Sequence, residues 1–158
     1  MLVKIKKAGI TVLCADFALT MASFAAAADE KPDTPAKLKG GKIITAEEAK
    51  ALLDKKAAIF FDMRSPVNYG RGHLSGAISF PYKEKSEWKP DFDASKDEFD
   101  VSKLPADKNA GMVFYSDGPK GWKSYKAAVL AIKAGYKNVM WYRSGSDVWE
   151  AKGYPMEQ

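Results

Sequence analysis

Hydropathy is most regular between Gly111 and Gly135. Met112-Val113-Phe114-Tyr115 is a continuous apolar run of the length expected for a buried strand. Ser116-Asp117-Gly118-Pro119-Lys120-Gly121 follows, rich in turn-forming residues, and a helix is predicted from Trp122 to Ala134 with Gly135 as its stop. Upstream, Lys42-Ile43-Ile44 reads as a short strand. Thr45 and Glu48 form a capping box for a helix through Lys55, with Ala49, Leu52 and Leu53 on one face. Ala57–Phe61 and Ala77–Phe80 read as further strands, with Met63–Gly72 between them as loop and turn. Residues 82–110 are polar, with scattered Tyr82, Trp88, Phe92 and Phe99, and are expected to form short helices and a connector over the core. Asn138–Tyr142 is a fifth strand, and Ser146–Lys152 a short helix stopped by Gly153 and Pro155. Strands alternate with helices. That order predicts an α/β fold with a parallel sheet flanked by helices on both faces.

The N-terminus changes this picture. Lys4, Lys6 and Lys7 precede an apolar stretch from Ala8 to Ala28, which ends in small residues before Asp29-Glu30. This is the pattern of a secretory signal peptide over residues 1–28, cut after Ala28. Two other readings are an uncleaved anchor, in which Asp16 would cost roughly 2.5–3.5 kcal/mol, and a lipid anchor at Cys14, disfavoured by bulky Leu13. Residues 29–40, polar with proline and glycine, read as a flexible leader, and residues 41–158 as one domain. The expected location is the periplasm or the exterior, without stable membrane insertion after cleavage.

Removing the first 28 residues takes away three lysines and one aspartate, so the formal net charge falls from +5 to +3. Both signs are interleaved along the remainder, and nucleic acid is not an expected partner. Cys14 is the only cysteine. The mature chain would then lack any disulfide, thiolate metal site or thiol nucleophile.

Strand, tight loop and helix together make a candidate anion pocket. Unpaired N–H groups at a helix start converge on the loop, where the helix dipole favours negative charge. Ser116, at the carboxyl end of the strand, faces that pocket. The cradle would comprise Asp117, Gly118, Pro119, Lys120, Gly121, Trp122 and Lys123, with Trp122 as one wall. His73 is the single histidine, with no spacing that brings it to Ser116, so neither a serine hydrolase nor a histidine metal site is expected.

Asp62-Met63-Arg64-Ser65-Pro66, Tyr69-x-x-Gly72-His73-Leu74-Ser75-Gly76-Ala77-Ile78, the strand–loop–helix, and Gly135-Tyr136-x-Asn138-Val139 with Gly145, Trp149 and Gly153-Tyr154-Pro155 occur in that order. In this the chain resembles the rhodanese-like family over about residues 40–156. The resemblance implies a five-stranded parallel sheet between helices, with the active loop after the fourth strand. It implies structural roles for Asp62, whose carboxylate would tie down loop N–H groups, for Arg64 and for His73. Glutamate often follows that arginine by four positions; Asn68 stands there, so Arg64 is expected to be freer and to face solvent.

Within the family the chain looks like a secreted, sulfurtransferase-like branch with two loop cysteines, at the positions held here by Ser116 and Gly121. Sulfur transfer needs a thiolate that carries sulfane sulfur as a persulfide, and a serine hydroxyl cannot do this. The expectation is therefore a degenerate loop that needs no cofactor or metal. It would bind a small oxyanion (thiosulfate, sulfite, sulfate or phosphate) or a periplasmic sulfur-carrier protein. The alternatives are a working thiosulfate or persulfide sulfurtransferase in a cysteine-containing form, and a purely structural interaction domain.

Overall fold

A computed structural model describes residues 30–158; the expected signal segment lies outside the described residues. Among these residues, five strands form one sheet in the order β1-β6-β5-β2-β4, every neighbouring pair parallel. They are β1 (Lys42–Ile43), β2 (Ile59–Asp62), β4 (Ile78–Ser79), β5 (Gly111–Tyr115) and β6 (Asn138–Tyr142). A separate antiparallel pair joins β3 (His73–Leu74) to β7 (Met156–Glu157). The helices are α1 (Ala46–Asp54), α2 (Pro66–Arg71), α3 (Trp122–Lys133) and α4 (Gly145–Ala151).

The apolar runs are continuous because both faces of the sheet are covered, and side chains alternate between them. Phe61, Met112, Phe114 and Trp141 face α3, whose Ala127, Ala128 and Ala131 let the helix pack closely. Phe60, Val113, Tyr115 and Tyr142 face the other way, onto Ala49 of α1 and Trp149 of α4. Each large side chain buried this way contributes about 1.5–3 kcal/mol of transfer free energy.

Local signals set the helix ends. Glu48 N–H donates to Thr45 Oγ1 at 3.1 Å, and Thr45 N–H to Glu48 Oε2 at 2.8 Å, completing the capping box. Gly135, at φ +93°, turns the chain out of α3 as a left-handed residue. Residues Ala94–Lys96 and Val101–Lys103 of the polar connector are single 3₁₀ turns.

Two expectations are corrected, and one pair of strands goes beyond them. Part of Met63–Gly72 is helical: Ser65 caps α2 and Pro66 occupies its first position, but six residues carry too little hydrophobic periodicity to show. The β3–β7 pair was likewise too short for a period-two pattern to reveal. The segment read as a flexible leader is packed from Lys31 onward, with Thr34 and Leu38 buried in the domain.

Candidate functional site

The loop after β5 is bonded on both sides. Ser116, directly following Tyr115, is 2% exposed. The N–H of Gly121 donates to Gly118 O at 2.7 Å, and that of Trp122 to Lys120 O at 3.1 Å. Two N–H groups of the expected cradle are thus turned onto the loop's own carbonyls, and Pro119 has none to offer. From the first turn of α4, Ser146 N–H donates to Ser116 O at 2.9 Å and Asp147 N–H to Asp117 O at 3.0 Å. Lys120 is exposed on the loop, and Lys123 is half-buried in the first turn of α3. Ser124 Oγ donates to Gly121 O at 3.0 Å and accepts from Trp141 Nε1 at 3.0 Å, fastening the start of α3 to β6.

Residues 31–35 cross this loop. Both the N–H and Oγ1 of Thr34 donate to Pro119 O, at 2.8 and 2.6 Å. Arg143 donates to Thr34 Oγ1 at 3.1 Å and to Thr34 O at 2.8 Å. Trp122 Nε1 donates to Pro32 O at 2.8 Å. Expected as a pocket wall, the Trp122 indole is instead buried beneath this strap and packs edge-on against Tyr125.

Beside the loop lies a buried polar network. Asp62 takes both Nε and Nη2 of Arg64, at 2.9 and 2.6 Å, together with the Arg64 N–H at 2.9 Å. The Tyr115 hydroxyl donates to Asp62 Oδ2 at 2.8 Å and accepts from Leu74 N–H at 3.2 Å. Burial, then the Asp62 charge, pushes this hydroxyl far above its ordinary pKa, so it remains a neutral donor. Arg64 is 7% exposed and also donates to Gly72 O at 2.7 Å and Ser146 Oγ at 3.2 Å. The expectation of a solvent-facing Arg64 is corrected: Asp62, two residues away, supplies the carboxylate that Asn68 does not. His73 is buried, its ring stacked on Tyr69 with centroids 3.6 Å apart. Its Nδ1 lies 3.0 Å from Tyr69 O, which can only accept, so Nδ1 carries the proton. Those contacts belong to the α2–β3 turn.

An open cleft of about 300 Å³ adjoins the loop, and its lining includes the basic Arg64 and Arg71 and the acidic Asp117, Asp147 and Glu150. Burial, then the facing Asp117, raises the Asp147 carboxyl above its ordinary range. Among the described residues no group of three His, Cys, Asp or Glu side chains is placed to hold a metal ion.

One charged residue under the site escaped sequence reasoning. Lys126, 0% exposed, sits on the core face of α3. Its Nζ donates to Ser86 Oγ at 2.8 Å and stands 3.0 Å from Glu84 Oε2, at ion-pair distance but off the line of a hydrogen bond. Asp97 lies 3.8 Å away. Glu84 also holds Lys31 of the strap at 2.9 Å, so the network joins α3, the connector and the strap. The available signal was a lysine on the apolar stripe of Trp122, Tyr125 and Val129.

The model of the rhodanese-like domain matches residues 45–152, most of the chain and all of the sheet beyond β1. The chain belongs to the rhodanese-like domain family. It is 33% identical over 105 residues to the tRNA uridine(34) hydroxylase of Sodalis glossinidius, a match covering 66% of this chain and 27% of that relative. This rhodanese-like chain therefore spans about a quarter of the hydroxylase's length. Among solved structures, the thiosulfate sulfurtransferase of Pseudomonas aeruginosa superposes with a TM-score of 0.53 at 22% identity, over 75% of this chain and 20% of that one. The BH2092 protein of Bacillus halodurans gives a TM-score of 0.58 at 19% identity, over 74% of this chain and 77% of that one. These structures share the fold: a five-stranded parallel sheet with helices on both faces.

Proposed function

We propose that this chain is an exported rhodanese-like protein that does not ferry sulfur itself. In this reading it recognises a small sulfur oxyanion, such as thiosulfate or sulfite, or the persulfide of a periplasmic sulfur-carrier protein. One observation carries the proposal: a buried hydroxyl, Ser116, stands at the end of β5, and the sequence holds no cysteine beyond Cys14. Sulfur transfer requires a thiolate to attack the sulfane sulfur, displace sulfite from thiosulfate, and then release the sulfur to an acceptor such as cyanide. Serine cannot store sulfur in a reversible S–S bond. Hydroxylation of tRNA, named for the relative, is not carried over, because the match spans only a quarter of that protein and charges of both signs are interleaved here.

A second reading, a working sulfurtransferase in a cysteine-containing form, has its own support. A Cβ added at Gly121 would stand 2.7 Å from Ser116 Cβ, so the two positions face each other as a dithiol pair would. Across a disulfide the Cβ atoms are roughly 3.5–4.5 Å apart, so a modest opening of the loop would suffice.

The test is thiocyanate formation from thiosulfate and cyanide, by the chain itself and by Ser116→Cys with and without Gly121→Cys. The chain, with no cysteine in its loop, should give only the uncatalysed rate and gain no sulfur on the peptide that contains Ser116, while a calorimetric titration with thiosulfate shows binding once Thr34→Pro frees the loop from residues 31–35. Turnover by the chain without a cysteine in its loop would overturn the proposal.

A further inference from the structure

We propose that residues 31–35 are a strap that keeps the active loop closed, and that the loop opens only when this segment is withdrawn. The inference deepens the reading of the loop as the binding site. The contacts of Pro32 and Thr34 go to the loop, to the first residue of α3 and to Arg143 beside it. Thr34 holds Pro119 O through two donors, and Trp122 holds Pro32 O. Arg143, just past β6, clamps Thr34 from the other side through two bonds. Thr34 is 3% exposed, less than a peripheral tail requires.

Beneath the strap the loop is closed upon itself: the Gly121 and Trp122 N–H groups are spent on Gly118 O and Lys120 O. A polar ligand entering from the helix start needs those N–H groups turned outward, and that movement displaces Pro119 and Trp122, the two residues the strap holds. Docking and opening are mutually exclusive. The upstream end is anchored by Lys31, which pairs with Glu84 at 2.9 Å and lies 5.2 Å from the Trp88 ring centre. The Lys31–Glu84 pair is partly exposed and reversible, unlike the core beneath it. A partner that takes residues 31–35 as an extended peptide would open the loop.

The experiment uses the full chain carrying Ser116→Cys as an accessibility probe, with iodoacetamide modification localised to the peptide containing position 116 and thereby distinguished from Cys14. Thr34→Pro removes the Thr34 N–H and hydroxyl together, and Lys31→Ala removes the upstream anchor. With both, modification at position 116 should accelerate by about tenfold or more, the shift expected on losing two or three net hydrogen bonds. In the chain retaining Ser116, hydrogen exchange at the Gly121 and Trp122 amides should accelerate with the same pair of substitutions. Unchanged modification and exchange rates, with the strap variants still melting cooperatively, would overturn the strap. Neither readout depends on sulfur transfer or oxyanion binding, so a thiosulfate titration that fails with the strap variants as well as with the strapped chain would sink the functional reading and leave this inference standing.

Discussion

Gly145 stands so close to Asp117 that an added Cβ would lie 2.3 Å from the Asp117 carbonyl oxygen and 2.5 Å from that of Ser116. Its φ of +66° is itself strained for any other residue. This contact lets the first N–H groups of α4 reach the loop carbonyls, so Gly145 fixes the loop from the β6 side. Gly145→Ala should cost about 2–5 kcal/mol in urea unfolding, from backbone strain and overpacking together. A loss below about 1 kcal/mol would mean that the loop yields easily and is not clamped here.

The acid limb of stability should carry the signature of Asp97. Burial alone would raise its pKa, but hydrogen bonds from Ser86, Tyr82 and the Lys85 and Ser86 N–H groups outweigh burial and hold it at about 2, against an ordinary 3.8. Between those values the unfolded chain binds more protons, so this contribution is complete above the unfolded value. It is lost as pH falls through about 2. Its size is about 2 kcal/mol. Urea midpoints measured across acid pH should fall in that window, and Asp97→Asn should flatten the fall; an identical acid limb in the variant would refute the assignment.

Tyr142 offers a stabilising change. Its buried hydroxyl has no hydrogen-bond partner among the described residues, and burial, then the Glu47 charge, pushes its pKa up to about 12. Tyr142→Phe removes an unsatisfied polar atom and keeps the ring packed on Trp149, so stability should be unchanged or rise by about 1 kcal/mol. Thermal melts that drop by several degrees would show that the hydroxyl has a partner after all.

Elements with a long hydrophobic signal were legible in the chain. Met112–Tyr115 and Asn138–Tyr142 read as strands because both faces of a covered parallel sheet are apolar, and Thr45 with Glu48 marked a helix start because capping is chemistry within one turn. The shorter α2 and the β3–β7 pair were not, since six or two residues span too little of a period. Arg64 was misplaced for a related reason: the pattern fixes where a residue stands along the chain, not which of several carboxylates its side chain meets.

By itself, then, the sequence determined the alternation of strands and helices, the position of the loop after β5, and the absence of a thiol in it, because these are properties of residue order and residue chemistry. Tertiary structure alone decided that the loop N–H groups bond inward, that Lys126 is buried among Glu84, Ser86 and Asp97, and that residues 31–35 lie across Pro119 and Trp122. The last two join groups dozens of residues apart, and the first turns on the path the loop takes between β5 and α3. Such contacts depend on the direction in which side chains and N–H groups point after the sheet has brought the ends of its strands together, and no local pattern carries that direction.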